Sequence, residues 1–370
     1  MEAKIWIFHT WSRHGAYARA SRLMKHAKKK QSELNIDIYG KHSNFNQTKY
    51  TSSLNLAPNK LIHLIKIICE LIRTCIKIGG RHKKTYIAFD EISCLVAIFG
   101  KLLFGGRLVF LSRGDIIQIH ILDIRKKNHI SWILRYWMKL AAQYCCLSVS
   151  DILILQAEGH KEILRRRFGY KKVDKKVRII QNDIPTTKPI SKKGKDNNIL
   201  GNWNYVFMQY FSRGVKGADL IPQLSEWIRQ IDKNASIDIY GKGPYKKELI
   251  EYSLDLPQVN VHEWHNEPIK VMQQERTILI IPSRYDTCPN LVLEAMGVNC
   301  RMAATNIWAH RELLGGEVNL FDSKSKKSFW ECLDYAKSEK YIQDTERRVV
   351  DLEKKFSELS WEETVLEAMV

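Results

Sequence analysis

Ile278-Leu-Ile-Ile-Pro-Ser-Arg-Tyr-Asp-Thr-Cys-Pro-Asn-Leu-Val-Leu-Glu-Ala-Met-Gly297 is the stretch from which the rest of the chain can be read. Four apolar residues run into Pro282 and Ser283, a polar loop carries Asp286, and Asn290 opens a helical pattern bearing Leu291, Val292, Leu293, Glu294 and Met296. The order is strand, loop, helix. Asp286 falls in the loop at the carboxyl end of the strand. Glu294 falls about one turn into the helix, at about 1.5 Å per residue, so both acids can line one crevice. The first N–H groups of the helix point into the same space and can bind an anion or a sugar hydroxyl. Taken alone, the pair also fits a surface acid and a helix-face acid with no shared task.

Upstream, residues 205–210 form an apolar strand that ends in Phe211-Ser-Arg-Gly-Val-Lys-Gly217, followed by a helical pattern over 219–230. Gly214 and Gly217 let the backbone approach a ligand, and Arg213 and Lys216 add charge at a helix N-terminus. That loop fits a diphosphate clamp or a solvated basic turn. Ile237-Asp-Ile-Tyr-Gly-Lys242 then repeats Ile36-Asp-Ile-Tyr-Gly-Lys41, including Gly241. Each copy follows a first strand, a glycine-bearing loop and a helix, which indicates two similar α/β domains. Strands are expected at 259–263, 277–281 and 302–305, and a charged helical region from 325 to the end, anchored by Phe356, Trp361 and Val365.

The first half has the same grammar. A strand at 5–8 leads through a loop containing Arg13, His14 and Gly15 into a helix over 17–30 and a second strand at 34–39. The loop suits an acceptor or phosphate, or a plain tight turn. Residues 58–77 form an apolar helix with Lys66, Arg73 and Lys77 along one side, able to lie on anionic lipid or to be an ordinary half-buried helix. Strands follow at 85–89 and 107–111, the second running into Ser112-Arg113-Gly114-Asp115, a polar turn where functional residues collect. A helix over 132–144 precedes strands at 151–155 and 176–180. Residues 186–198, rich in Lys, Thr, Asn and Pro, read as a linker.

Bulk composition bounds the function. A chain of 370 residues with 45% hydrophobic content holds about two domains. No eighteen-residue window is free of charge; the most apolar candidate, 130–155, contains Arg135, Lys139 and Asp151 and reads as a buried helix plus strand. The N-terminus lacks a signal-peptide pattern. Eight cysteines without a C-x-x-C pair suggest a reducing, cytosolic compartment and no structural metal. The net charge of +19 calls for an anionic partner, such as a nucleotide, a nucleic acid or an acidic membrane face.

The ordered set of motifs resembles the GT-B fold glycosyltransferases, in particular the retaining family four (glycosyl transferases group 1), over nearly the whole chain. The resemblance rests on Pro282-Ser-Arg-Tyr-Asp286 through Glu294-Ala-Met296, Arg213 and Lys216-Gly217, Asn182 to Pro185, Gly241-Lys-Gly-Pro244, Glu312-Leu313, and Phe356-Ser with Ser360-Trp361. It implies two doubly wound Rossmann-like domains facing across a cleft. Residues 1–187 would bind the acceptor and 188–354 the donor, with a closing helix at about 355–370 returning to the first domain.

By the same resemblance, Arg213 and Lys216 hold a donor diphosphate and Glu294 the ribose hydroxyls. Asp286, with the amides of Thr287, Cys288, Asn290 and Leu291, holds the donor sugar. No cofactor or metal is implied, only a nucleoside-diphosphate sugar as donor substrate. The sequence departs from the family pattern: Asp286 stands where Glu is usual, His14-Gly15 where a glycine pair is usual, Asn299-Cys-Arg301 replaces Gly-x-Pro, and Trp308-Ala309 replaces a second glycine pair. Arg113 or Asp115 takes the place of a cleft histidine and could contact the reacting sugar.

The expected activity is sugar transfer to a hydroxyl of a glycan or lipid-linked acceptor in bacterial surface polysaccharide or lipopolysaccharide synthesis. The expected location is the cytoplasm, peripheral at the inner face of the membrane. A nucleotide-sugar epimerase of the same fold and a non-enzymatic RNA- or lipid-binding protein are the rivals. The lack of an aromatic-basic RNA signature speaks against nucleic acid.

Overall fold

The structure is a computed structural model that describes residues 3–8, 23, 26, 36–39, 83–112, 114–122, 130–184, 202–265, 267–316, 320–355 and 360–367. The expected loop residues Arg13, His14 and Gly15, the helix at 58–77, the linker at 186–198 and Arg113 lie outside the described residues. So does most of the helix at 17–30, of which Leu23 and His26 are helical.

The chain divides into two compact units. One comprises Met1–Ile116, Ile133–Ile180 and Leu359–Val370; the other comprises Ile117–Trp132 and Gln181–Glu358. Each is a doubly wound α/β domain.

The first unit holds six parallel strands, β1 (Ala3–Phe8), β2 (Ile36–Tyr39), β3 (Lys83–Ala88), β4 (Arg107–Ser112), β5 (Ile152–Leu155) and β6 (Val177–Ile179), in the order β2-β1-β3-β4-β5-β6. Side chains alternate across a strand, and here both faces are apolar and buried. Tyr86, Ala88, Leu108, Phe110, Leu153 and Leu155 form one face. Ile87, Phe89, Val109, Leu111 and Ile154 form the other, where they pack with Trp361, Val365 and Leu366 of the C-terminal helix Trp361–Glu367.

Helix α1 (Glu91–Phe104) starts at a reciprocal cap: Asp90 accepts from the Ser93 N–H at 2.8 Å, and Ser93 Oγ accepts from the Asp90 N–H at 3.1 Å. Helices α2 (Ile116–Leu122), α3 (Ile130–Val149), α4 (Glu158–Phe168) and α5 (Tyr170–Asp174) follow.

Residues 130–155 are a helix followed by a strand, as the charges within them require. The helix is not buried as expected, however: Trp137, Met138 and Leu134 are 60–63% exposed.

The second unit has β7 (Asn204–Tyr210), β8 (Ser236–Lys242), β9 (Val259–His262), β10 (Thr277–Ile281), β11 (Arg301–Thr305) and β12 (Leu320–Phe321), in the order β12-β11-β10-β7-β8-β9. The chain builds outward from β7 through β8 and β9, then restarts on the other side of β7 with β10. A ligand of such a sheet binds beyond the carboxyl ends of the strands at that reversal, here between β7 and β10.

Every residue of β10 is buried, as its unbroken apolar run requires. Both copies of the repeated hexapeptide are the second strand of their sheet, each paired in parallel with the first.

Candidate active site

The loops that follow β7 and β10 sit side by side because their strands are hydrogen-bonded neighbours, with Ile280 in register with Phe207. The backbone locks them together. The N–H groups of Arg284 and Tyr285 both donate to the Val215 carbonyl, at 2.9 and 3.2 Å. Gly217, in the left-handed region at φ +65°, lies so close to β10 that an added Cβ would meet the Pro282 oxygen at 2.1 Å. Only glycine satisfies both demands.

Gly241 is packed for a related reason: a Cβ there would strike the Gln209 oxygen at 2.1 Å and the Phe211 ring at 2.6 Å. It shapes the β7 loop from behind. Gly214 carries no positive φ.

Arg284, for which the sequence indicated no role, ties the two loops. Its guanidinium donates to both oxygens of Asp219, at 2.6 and 2.8 Å, and to the Arg213 carbonyl. The planar fork matches a carboxylate bidentately, so one side chain fixes the β10 loop to the start of the helical segment after β7.

Across this frame Lys216 Nζ donates to Asp286 Oδ2 at 2.5 Å, with both groups partly open to solvent. Asp286 Oδ1 accepts from the Thr287 N–H at 3.0 Å, so that amide is engaged with the carboxylate.

Cys288 is buried in the domain core. Helices α6 (Ile221–Ile231), α7 (Lys246–Ser253) and α8 (Pro268–Met272) come first in this unit, and Pro289 precedes helix α9 (Asn290–Gly297). The helix ladder begins with the Val292 N–H donating to the Pro289 carbonyl at 3.0 Å, which leaves Asn290 and Leu291 as the first helical positions. Asn182 Nδ2 donates to Asn290 Oδ1 at 2.7 Å and so fixes that helix start. Asn182, read in sequence as the end of the first domain, belongs with the second unit. Glu294 lies half-buried on the next turn of the helix.

Two expected residues are engaged with other partners. Arg213 points toward α7, donating to Glu248 at 3.1 Å and lying over the Tyr245 ring at 4.6 Å, and it is exposed. Asp115 belongs to the first unit and is 0% exposed. Arg167 donates to both of its oxygens, at 2.6 and 2.7 Å, and Gln143 to one at 3.3 Å. Burial pushes its carboxyl up, and the Arg167 hydrogen bonds and charge outweigh that and hold it below the usual carboxylate range.

His310 is fully buried beside β11. Its Nδ1 donates to the Thr305 carbonyl at 2.7 Å, and Nε2 has no hydrogen-bond partner. Burial pushes its pKa down to about 4, against the Thr305 carbonyl and the charge of Asp286. Among the described residues no cluster of three His, Cys, Asp or Glu could hold a metal ion.

Comparison with known proteins agrees with this arrangement. Residues 205–335 match the family described as Glycosyl transferases group 1. No curated protein matches the chain by sequence. Among solved structures, a sucrose-phosphate synthase from Thermosynechococcus elongatus superposes with a TM-score of 0.71 at 14% identity, covering 99% of this chain and 97% of that one. The lipopolysaccharide outer core galactosyltransferase WaaB superposes with a TM-score of 0.66 at 16% identity, covering 100% and 99%. HepE from Anabaena, solved with UDP and glucose, superposes with a TM-score of 0.66 at 13% identity, covering 98% of each chain. The fold is that of the GT-B glycosyltransferases.

Proposed function

We propose that this chain, whose second unit carries a glycosyl transferases group 1 domain in a GT-B fold, transfers a sugar from a nucleoside-diphosphate donor to a hydroxyl of a glycan or lipid-linked acceptor. The observation that carries the reading is the Lys216–Asp286 pair at the strand reversal between β7 and β10, where the fold binds ligands. A cation and a carboxylate held within 2.5 Å of each other match two adjoining groups of such a donor, its diphosphate and its sugar. The ammonium suits phosphate oxygens and the carboxylate accepts from sugar hydroxyls. As the glycosidic bond breaks, negative charge grows on the diphosphate, and a cation already fixed there stabilises that charge without reorganisation.

Arg213 joins by leaving Glu248. An exposed pair of that kind is worth about 0–1 kcal/mol, while a hydrogen bond to a charged group is worth roughly 1.5–3 kcal/mol, so the exchange favours the diphosphate. Glu294 accepts from the ribose hydroxyls, and the first N–H groups of α9 meet the sugar. In this reading the two cations replace a divalent metal, and transfer persists in EDTA. The UDP-glucose bound in another HepE structure and the lipopolysaccharide in WaaB's name support a sugar nucleotide and a surface glycan here. The motif Asp286 through Glu294 supports retention of the donor anomer, which NMR of the product would read.

The test is incubation with labelled UDP-, GDP-, ADP- and CMP-sugars, with and without glycan and lipid-linked acceptors. A glycosylated product that requires one donor and one acceptor is the expected result. Isomerised sugar from donor alone would make the protein an epimerase, and no turnover with any donor would overturn the reading.

A further inference from the structure

Helix α3 (Ile130–Val149) contains two basic residues and no acid. Every exposed residue it has between 133 and 145 is uncharged, and five of these are large: Ile133, Leu134, Trp137, Met138 and Tyr144. They recur at spacings of about three to four residues, so they form one stripe along the outer side of the helix. An ordinary surface helix turns its charges outward and its apolar stripe inward. This helix presents an apolar stripe to solvent, with Arg135 half-buried at its flank, while Lys139 lies on the far side of the helix and its charge acts on buried Glu91 of α1. Helix α1 rests on the same face of the sheet and adds Phe99, Leu102 and Leu103, each more than half exposed. Contiguous apolar surface of this kind marks a docking face.

Charge selects the occupant. At the C-terminal end of the stripe, Lys172 of α5 lies 3.7 Å from the centre of the Tyr144 ring, and Lys171 and Lys175 are exposed beside it. The acids nearby are spent: Glu162 is paired with Arg166 and Asp174 with Arg165. A second copy docked symmetrically on this face would bring Arg135 and the α5 lysines against their own kind, which disfavours self-association. An anionic lipid surface complements all of them. Trp137 and Tyr144 have the amphipathic rings that settle at the headgroup level, and lysine stems can lie along apolar surface with the ammonium in water.

We infer that the outer face of α3, with the exposed end of α1, docks the first unit onto an anionic membrane, lying in the interface plane rather than crossing it. No helix among the described residues is long and apolar enough to span. The inference adds to the transferase reading the place where a lipid-linked acceptor meets the enzyme, and rests on that reading for the acceptor alone.

The experiment is flotation of the full chain with vesicles of phosphatidylcholine, with and without phosphatidylglycerol. The wild-type chain is expected to float with the anionic vesicles and to be released as salt rises. Leu134→Ser/Trp137→Ser is expected to weaken flotation on the order of tenfold, and Arg135→Gln about fivefold on anionic vesicles only. Both variants should keep the wild-type unfolding midpoint and transfer to a soluble acceptor, because the changed side chains are outside the donor site. Absence of wild-type flotation, or equal flotation of the double variant, would overturn the inference. So would a wild-type dimer in sedimentation velocity that Leu134→Ser/Trp137→Ser disperses, since a second copy would then cover the face. Flotation without sugar transfer under any condition would sink the transferase reading and leave the docking face standing.

Discussion

Asp115 and Asp286 both stand just past the carboxyl end of a parallel strand, and each is paired with a cation from another element. Asp115 is sealed, with no exposed surface and both oxygens held by Arg167. Asp286 keeps 17% of its side chain open, and its partner Lys216 keeps 33%. A saturated, buried pair has nothing left to offer a ligand. An open pair at a strand reversal has donors and acceptors that a ligand can take over. The reversal between β7 and β10 supplies the opening, whereas the Asp115 turn follows a strand flanked by β3 and β5 away from any reversal.

The largest expected effect comes from breaking the sealed pair. Arg167→Met strands a buried carboxylate and is expected to cost about 3–5 kcal/mol in chemical denaturation, leaving donor affinity unchanged. The folded pKa of Asp115 is depressed, so the pair's contribution is present above the ordinary carboxylate pKa and is lost as pH falls through the folded value. Wild-type and variant stabilities should therefore converge in acid. A constant gap would mean that Arg167 acts by packing alone.

Breaking the open pair should do the reverse. Lys216→Ala is expected to lower the sugar-transfer rate by roughly 10²–10³-fold, with a stability change of at most about 1 kcal/mol. A stability loss larger than the loss of rate would make Lys216 structural.

Gly217→Ala sharpens the comparison by moving the frame rather than the charges. Its strained φ and the 2.1 Å approach to the Pro282 oxygen should cost about 1–3 kcal/mol of stability. Donor affinity should fall with it, because the Lys216 loop must lift off β10.

A separate check is the pH response of two histidines, one near each pair. Burial pushes His160 and His310 down to about 4. The unfolded chain takes up their protons from about pH 6.5 downward, so stability falls as pH drops from about 6.5 to about 4. Thermal scans at intervals through that window check the slope, which His160→Leu should reduce.

The strand, loop and helix at 278–297 were legible because each signal there is local: an apolar run, a Pro-Ser stop and a helical repeat. The glycine at 217 was legible as a position of close approach to a ligand, whereas its approach to the Pro282 oxygen depends on the neighbouring strand. Partners distant in sequence were not. Nothing near Arg213 points to Glu248, and nothing near Asp115 points to Arg167, 52 residues away. The sequence therefore suggested a two-cation clamp where the structure brings only Lys216 to Asp286. Helix α3 failed differently: an apolar stripe has the same period whether it faces a core or solvent, and only the packed fold tells which. Asn182 sits in a segment that reads as a domain end, and its bond to Asn290 depends on a fold-level neighbour 108 residues on.

The central claim is that Lys216 and Asp286 form the phosphate-and-sugar end of a donor site. Calorimetric titration of UDP-glucose and, if that fails, of the other nucleotide sugars into wild-type and Lys216→Ala protein tests it directly. The expected result is a single site per chain whose affinity falls at least about tenfold in the variant, the loss of one charge-assisted contact to phosphate. Equal affinity in the two proteins, or no binding of any nucleotide sugar to the wild-type chain, would contradict it.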